Sequence, residues 1–227
     1  MATLEYHGHS CFVIESTHGR VILDPFLKDN PRADVAPENV GQVDAILVSH
    51  GHADHFGDTL AIARQHRATV VAAYEIASWC ESKGVAAHGM ATGGAHDFPF
   101  GWVKLVPAAH GSLFEADPAF STNPVGFLYR VEGKLVYHMG DTALTADVRL
   151  VGELNRVDLL LAPIGDNYTM GPDDALKAVE FIRPGLVVPM HFDTFDVIRQ
   201  DAGEFQRRVE EAGHRCHVLA PGETLEF

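Results

Sequence analysis

Residues 44–55 read Asp44-Ala45-Ile46-Leu47-Val48-Ser49-His50-Gly51-His52-Ala53-Asp54-His55. An apolar run of the kind that forms a buried strand leads here into a loop with three histidines and an aspartate in six positions. Neutral imidazole and carboxylate are ligands that divalent zinc, manganese and iron prefer. So dense a cluster is typical neither of a core nor of a solvated surface. The stretch therefore predicts a metal site at the end of a strand, with ligands enough for two ions.

The size and composition of the chain are those of a globular protein. Its 227 residues suit one large domain or two fused halves, and 46% of them are hydrophobic, enough for a sizeable core. Strand-rich and helix-bearing segments occur in both halves, without a linker rich in Pro, Gly or Ser between them. We therefore expect a single domain over residues 1–227.

The net charge of −14, with the histidines neutral, limits the partners of the protein. A surface of this charge repels polyphosphate, so nucleic acid is not an expected partner. No apolar stretch approaches the roughly 18 residues that a membrane span needs, so a membrane is not expected either. We expect a small-molecule substrate, and assembly into a symmetric homo-oligomer is a fair default.

The cysteines indicate the compartment. Cys11, Cys80 and Cys216 are odd in number and widely spaced, which favours free thiols in a reducing environment over a disulfide framework. Residues 1–6 lack the basic and apolar regions of a signal peptide. We therefore expect a cytoplasmic protein, and we interpret Cys11 as a strand thiol rather than a nucleophile.

Short apolar runs with ligating or polar residues after them predict the strands that carry the site. The runs are residues 45–48, 103–109, 134–137, 158–164 and 186–190, and they lead to His50, His110, His138 with Asp141, Asp166, and His191. A hairpin is predicted over residues 12–15 and 21–23, and helices over 58–65, 74–83, 172–182 and 201–212. The order predicts an α/β fold of two halves packed sheet against sheet, with the site at one edge.

The pattern HxHxDH, followed by an isolated His, an Asp after Gly and a late His, resembles the metallo-β-lactamase superfamily. The seven positions are filled, in order, by His50, His52, Asp54, His55, His110, Asp141 and His191. The resemblance implies a four-layer αββα sandwich with a binuclear metal site at one edge. It implies that His50, His52 and His110 hold one metal. Asp54, His55 and His191 would hold the other, and Asp141 would bridge the two.

Longer matching stretches of sequence indicate one group within this superfamily. Stretches such as Tyr6-His7-Gly8-His9-Ser10-Cys11-Phe12 and Tyr137-His138-Met139-Gly140-Asp141-Thr142 look like a group of bacterial and archaeal metal-dependent hydrolases. That group is related to the L-ascorbate-6-phosphate lactonase branch. The likeness runs from residue 4 to about residue 222, and it indicates fold and site better than substrate.

Residues outside the seven are candidates for positions around the metals or in the substrate pocket. His9 is a proton donor or substrate contact in one interpretation and a structural histidine in the other. Asp24 is expected to orient a metal-bound histidine through its other ring nitrogen, with a turn residue before Pro25 as the alternative. His138 is a candidate for the same orienting role as Asp24, with a structural role as the alternative. Asp166 and Asn167 line the pocket or form an Asx-type turn.

The chemistry that follows is hydrolysis by a hydroxide bridging two divalent ions, since coordination lowers the pKa of water from about 15.7 towards about 7. Asp54 would orient this nucleophile. Zinc is the first expectation for the metal, and manganese, iron or nickel are alternatives. The predicted substrate is a small ester, lactone or related compound. A phosphodiesterase and a metal-binding sensor without turnover are the alternatives.

Two loop segments are expected to decide specificity, residues 111–124 and residues 167–170. They offer aromatic and small polar groups but no basic residue. We therefore expect tight recognition of a dianionic phosphate to be disfavoured, although the metals themselves can bind phosphate.

Overall fold

The computed structural model describes residues 1–111 and 113–227. Ser112, which belongs to the first predicted specificity segment, lies outside the described residues. Two mixed β-sheets dominate the structure, with helices on their outer faces. In the described part of the chain, no helix is long and apolar enough to cross a bilayer.

The first sheet is formed mainly by the N-terminal half of the chain. Within the described residues it has seven strands in the order β13-β1-β2-β3-β4-β5-β6. The strands are β1 (Thr3–Tyr6), β2 (Phe12–Ser16), β3 (Gly19–Leu23), β4 (Ala45–Leu47), β5 (Thr69–Ala73), β6 (Ala87–Met90) and β13 (Thr224–Glu226). Strands β13, β1, β2 and β3 pair antiparallel, and β3 to β6 pair parallel. The predicted hairpin is present as β2 and β3.

The second sheet follows in the sequence and also mixes both pairing directions. As far as the structure describes the chain, it has six strands in the order β12-β11-β10-β9-β8-β7. The strands are β7 (Ala95–Phe98), β8 (Gly101–Pro107), β9 (Val125–Val131), β10 (Lys134–His138), β11 (Leu159–Pro163) and β12 (Leu186–Met190). Strands β10 to β12 pair parallel and β7 to β10 antiparallel. All five predicted site-bearing strands are therefore present, with ends shifted by at most two residues.

The helices cover the outer faces of the sheets. They are α1 (Ala53–Phe56), α2 (Thr59–His66), α3 (Tyr74–Ser82), α4 (Ala146–Leu154), α5 (Pro172–Ile182) and α6 (Ala202–Glu211). Helix α4 was missing from the sequence prediction. Val148 and Val151 are its buried residues, whereas its leucines Leu150 and Leu154 are exposed.

Successive side chains of a strand pack into different layers of the hydrophobic core. Leu47 of β4 packs between the two sheets with Phe127 of β9, whereas its neighbour Ile46 packs outward against Ile62 of α2. On the other side of the molecule, Leu128 packs outward into a cluster with the buried faces of α4, α5 and α6. Successive side chains of a strand point to opposite faces, so each sheet contributes to two layers. The predicted four-layer αββα sandwich is confirmed.

Candidate metal centre

Loops at the ends of four strands bring the seven predicted ligands together. His50, His52, Asp54 and His55 follow β4, His110 follows β8, Asp141 follows β10, and His191 follows β12. Strand β4 belongs to the first sheet and the other three strands belong to the second sheet. The cluster therefore lies where the ends of the two sheets meet, at the predicted edge.

The segment after β4 differs locally from the sequence prediction. Residues 53–56 form the one-turn helix α1, where the sequence predicted a loop. His52 precedes the helix with extended backbone, and its carbonyl accepts the His55 amide at 3.1 Å. Asp54 and His55 project from the helix, whereas His50 and His52 precede it. The change of backbone conformation separates the ligands into two groups.

The first group consists of His50, His52 and His110, whose ligating atoms lie within 4.8 Å of one another. His50 Nε2 is 3.1 Å and His110 Nε2 is 3.2 Å from His52 Nδ1. Nitrogens bound at about 2.0 Å to a tetrahedral zinc ion are about 3.3 Å apart, so these separations suit a shared divalent cation.

The second group contains His9, Asp54, His55 and His191, again with ligating atoms within 4.8 Å of one another. His9 thereby joins the three residues expected from the resemblance. Its Nε2 lies 3.2 Å from Asp54 Oδ2, and its Nδ1 lies 2.8 Å from the Thr194 hydroxyl. His9 is fully buried, so it is part of the site wall.

Asp141 lies between the two groups. One carboxylate oxygen, Oδ2, is 3.0 Å from His191 Nε2 and 3.4 Å from His110 Nε2, and the other is 3.2 Å from His55 Nε2. It therefore touches histidines of both groups. This is the position that a bridging ligand requires.

A buried carboxylate, Asp24, sets the protonation of two of these histidines. His55 Nδ1 donates to Asp24 Oδ2 at 2.8 Å, and the Ser49 hydroxyl donates to the same oxygen at 2.6 Å. Because the Ser49 proton is used in that bond, the hydroxyl accepts from His50 Nδ1 at 3.0 Å. Both imidazoles are thus protonated on Nδ1. Their Nε2 lone pairs point into the site, as metal ligands require.

The donor set of the site suits divalent cations, and buried atoms without a partner support this. Among the described residues, His55 Nε2, Asp141 Oδ1 and both ring nitrogens of His191 are buried without a hydrogen-bond partner. Buried polar atoms are normally hydrogen-bonded, and leaving one unsatisfied costs about 1–3 kcal/mol. His55 Nε2 and His191 Nε2 face the Asp141 carboxylate at 3.2 and 3.0 Å, whereas His191 Nδ1 faces Gly165 on the other side of the ring. Imidazole and carboxylate donors without a thiolate suit zinc, manganese, iron or nickel.

His138 supports the site without facing it. Its Nε2 donates to the Ser10 carbonyl at 3.1 Å, and its Nδ1 accepts the Gly140 amide at 3.2 Å. Burial lowers its pKa, against the neighbouring Asp24 carboxylate that raises it. The neutral ring fixes the backbone directly before Asp141.

Strained backbone concentrates around the site. His9, Asp24 and His191 have positive φ angles of 58°, 43° and 56°, which residues other than glycine adopt at a cost. Asp166 and Asn167 also have positive φ, at 59° and 43°, and both are exposed. The Asp166 carbonyl and amide bond within the tight turn of residues 166–170. For these two residues the structure favours the turn over a place in the ligand cluster.

Electrostatics keep the carboxylates ionised. Burial raises the pKa of Asp141, but the adjacent His191 and His55 lower it further, and the result lies well below the usual range. The pKa of Asp54 is lowered in the same way, by His55 and His9 against burial. Burial, with His191 beside it, lowers the pKa of His9 to about 4. Ionised carboxylates and neutral histidines are the forms that bind metal.

A groove of about 960 Å³ opens beside the second group, and Asp54 lies in its wall. Its lining includes Glu115 and Ala116 from the first predicted specificity segment and, within the described residues, none of 167–170. Lys28 and Arg64 also line it. Basic side chains thus reach the groove from distant parts of the chain. The expectation that dianionic phosphate is disfavoured, which rested on two loop segments, therefore loses its support.

Sequence reasoning missed Ser49, Thr194 and Phe195. Ser49 directly precedes the HxHxDH pattern, so its position was a usable signal for an orienting role. Thr194 contacts His9, from which it is 185 residues away in the sequence, and no local sequence pattern predicts such a contact. Phe195 lies with its ring centroid 5.7 Å from that of His9, for the same long-range reason.

Comparisons with known proteins agree with this geometry. Residues 3–191 match the family model of the beta-lactamase superfamily domain. A UPF0173 metal-dependent hydrolase of Heliobacterium modesticaldum is 48% identical, with 99% of this chain and 97% of that protein covered. A second protein of the same name, from Bacillus cereus, is 46% identical with 98% of both chains covered.

Among solved structures, the metallo hydrolase Igni18 of the archaeon Ignicoccus hospitalis superposes with a TM-score of 0.91 at 36% identity. It covers 100% of this chain and 99% of its own. The closer kinship to the L-ascorbate-6-phosphate lactonase branch stays a prediction. The chain belongs to the metallo-β-lactamase superfamily and, within it, to the family of UPF0173 metal-dependent hydrolases.

Proposed function

We propose that the protein is a binuclear hydrolase that cleaves a small ester, lactone or related bond. Two divalent ions, zinc as the first expectation, would supply an activated hydroxide at neutral pH and polarise the substrate carbonyl. The first ion would be held by His50, His52 and His110. The second would be held by Asp54, His55 and His191, with Asp141 between the two.

The observation that carries the proposal is the convergence of unpaired buried atoms on Asp141. Histidines of both ligand groups approach its two oxygens at 3.0–3.4 Å. A single-ion site would leave one of the two groups without a function. A second ion would give the atoms that face Asp141, His55 Nε2 and His191 Nε2, a shared partner.

The chain's own residues prepare the reaction. Asp24 and Ser49 accept hydrogen bonds from Nδ1 of His55 and His50, which orients both rings with Nε2 towards the site. Asp54, partly exposed at the groove, is in position to accept a hydrogen bond from the attacking nucleophile and orient it. His9 Nε2 donates a hydrogen bond to Asp54 Oδ2 and restricts where that carboxylate points.

A cysteine nucleophile is not part of the proposal. Cys11 is fully buried, and burial together with the negative charge of Asp24 raises its pKa well above the usual value. The thiolate is the nucleophilic form, and at neutral pH it is essentially absent from such a site.

The experiment measures metal content and turnover on the same sample. We expect about two divalent ions per chain by elemental analysis, and chelator-sensitive hydrolysis of p-nitrophenyl esters or lactones. Two ions with no turnover on esters, lactones and bis-p-nitrophenyl phosphate would instead support a metal-binding sensor. A chain without metal after reconstitution would contradict the proposed site.

A phosphodiesterase is the second candidate, and one observation favours it. Lys28 and Arg64 line the groove next to Asp54, where they can pair with a phosphodiester anion. Two metals also suit in-line displacement at phosphorus. Faster turnover of bis-p-nitrophenyl phosphate than of every ester and lactone would make this candidate the better one.

A further inference from the structure

The groove beside Asp54 has a rigid aromatic floor. Phe56, Trp79 and Phe114 pack edge to face, with ring centroids 4.9–5.8 Å apart, and the first two of these line the groove. Trp79 Nε1 donates to Asp117 at 3.0 Å, which fixes the indole ring. Phe56 and Trp79 are only 5% and 8% exposed. The floor is therefore held in place before any ligand arrives.

A second pair of aromatic rings closes the end of the groove nearest the metal cluster. Phe26 and Phe195 both line it, with their ring centroids 6.4 Å apart. Each also contacts His9, at 5.6 and 5.7 Å. Phe195 is 38% exposed, which is costly for a large apolar side chain with no ligand to cover it. The pair connects the groove to the second ligand group.

The charged side chains that line the groove carry both signs, and apart from the partly buried Asp54 and Asp58 they are exposed. Lys28, Arg64, Asp29 and Glu115 are exposed. Glu115 already accepts the Ala53 amide at 3.2 Å. Because the exposed charges are of both signs and the floor is aromatic, the interior of the groove suits an uncharged apolar group.

We propose that this groove binds the apolar, uncharged part of the substrate, an aryl group or an acyl chain of several carbons, with Phe26 and Phe195 as its specificity-determining clamp. The inference rests on the proposed hydrolase function for the bond that is cleaved. A volume of about 960 Å³ lies at the large end of the range for small-molecule sites, and it exceeds what an acetyl group fills.

Chain-length dependence of hydrolysis tests the proposal. For p-nitrophenyl acetate, butyrate and hexanoate, kcat/KM of the metal-loaded wild-type protein should rise with acyl length. Each methylene that is fully buried corresponds to about 0.8 kcal/mol, or roughly fourfold. In the Phe195→Ala variant the ratio of hexanoate to acetate kcat/KM should fall by about tenfold.

Val197→Ala is the matched control. Val197 is 57% exposed two residues further along the same loop and is not among the residues that line the groove. The control should keep the wild-type ratio. A ratio that is flat in the wild type, or that both variants change equally, would overturn the groove assignment and leave the hydrolase proposal standing.

Binding without turnover separates the two proposals. Butanamide, hexanamide and octanamide should quench the fluorescence of Trp79 with affinity that increases with length, and Phe195→Ala should weaken octanamide about tenfold. The Trp102→Phe variant should keep this signal and Trp79→Phe should lose it. Length-dependent quenching with no turnover of esters, lactones or bis-p-nitrophenyl phosphate would support the groove and overturn the hydrolase proposal. No quenching by octanamide would overturn the groove.

Discussion

His55 Nδ1 lies 2.8 Å from Asp24 Oδ2, and both side chains are completely buried. The same carboxylate oxygen accepts a hydrogen bond from the Ser49 hydroxyl. That hydroxyl in turn accepts a hydrogen bond from His50 Nδ1. One buried carboxylate thus controls the tautomer of a histidine in each ligand group. Burial raises the pKa of Asp24, but the adjacent His55 lowers it further, so the group is ionised.

Replacing Asp24 by asparagine should weaken metal binding without removing a ligand. The amide of the D24N variant can donate to Nδ1 of His55, which moves the ring proton to Nε2 and blocks that lone pair. We expect a loss of about 10- to 100-fold in metal affinity, measured by competition with a chromophoric chelator.

The Asp44→Asn variant is the control for Asp24→Asn. Asp44 is an exposed carboxylate that accepts a backbone amide, from Arg20 at 2.8 Å. It lies just before the start of β4, whereas the ligand loop follows the end of that strand. Equal metal affinity of D24N and wild type would contradict the orienting role of Asp24.

Asp141→Ala should empty at least one metal position, since Asp141 is the residue in contact with both ligand groups. We expect fewer than two ions per chain and loss of hydrolytic activity by more than about 100-fold, since the bound ions carry the chemistry. Elemental analysis and initial rates on one sample measure both. Asp147→Ala, an exposed carboxylate on α4, should behave as wild type. A fully metallated and active D141A variant would disprove the bridging assignment.

Gly165→Ala should displace His191, because residue 165 packs against the side of His191 that faces away from the other ligands. A methyl group on residue 165 would overlap the His191 carbonyl oxygen and approach the ring Nδ1 of His191 to 3.2 Å. Since backbone must shift to relieve the overlap, we expect destabilisation by about 1–3 kcal/mol and weaker metal binding. Thermal denaturation and metal titration measure the two effects.

The Gly203→Ala variant provides the matched comparison for Gly165. Residue 203 lies in helix α6. A methyl group added there would lie 3.4 Å from Asp201 Oδ1, which is an ordinary van der Waals contact. Alanine favours helix more than glycine does, so this variant should be as stable as wild type or more stable. If G165A melts with wild-type stability and binds metal normally, His191 is not constrained as the structure indicates.

Alkaline pH should destabilise the fold through its buried thiols. Burial raises the pKa of Cys80 and of Cys216 to about 12, and that of Cys11 well above its usual value. An unfolded thiol loses its proton near pH 8.5, so above that pH the folded state holds more protons. The free energy of unfolding should therefore fall as pH rises from about 8.5 towards 12.

Melting temperature between pH 7 and pH 11 measures this effect, and Cys80→Ala should make the alkaline decline shallower. In the native protein, Ellman's reagent at pH 8 should find no rapidly reacting thiol, because the thiolate fraction at a pKa of about 12 is about 10⁻⁴. Three thiols should react after denaturation in guanidinium. Rapid reaction of Cys80 or Cys216 in the native state would contradict the burial of these groups.

Much of the fold and of the candidate cluster could be predicted because the signals are local. Runs such as residues 186–190 are apolar on both faces, which indicates a strand covered on both sides, and β12 is found there. The one-turn helix α1 was missed because it is shorter than any periodic signal. Helix α4 was missed although its apolar periodicity is at least as strong as that of the predicted helices α2 and α3.

By itself the sequence determined which donors are available and where they follow strands: the imidazoles and carboxylates of residues 50–55, then His110, Asp141 and His191. Chemical identity and short spacing are enough for that. Only the tertiary structure decided that Asp24 accepts a hydrogen bond from His55 Nδ1, that Ser49 extends this control to His50, and that Phe195 faces His9. These contacts join residues up to nearly 190 positions apart. The contacts of His9 with Thr194 and Phe195 depend on how the two sheets pack face to face, which no local sequence pattern encodes.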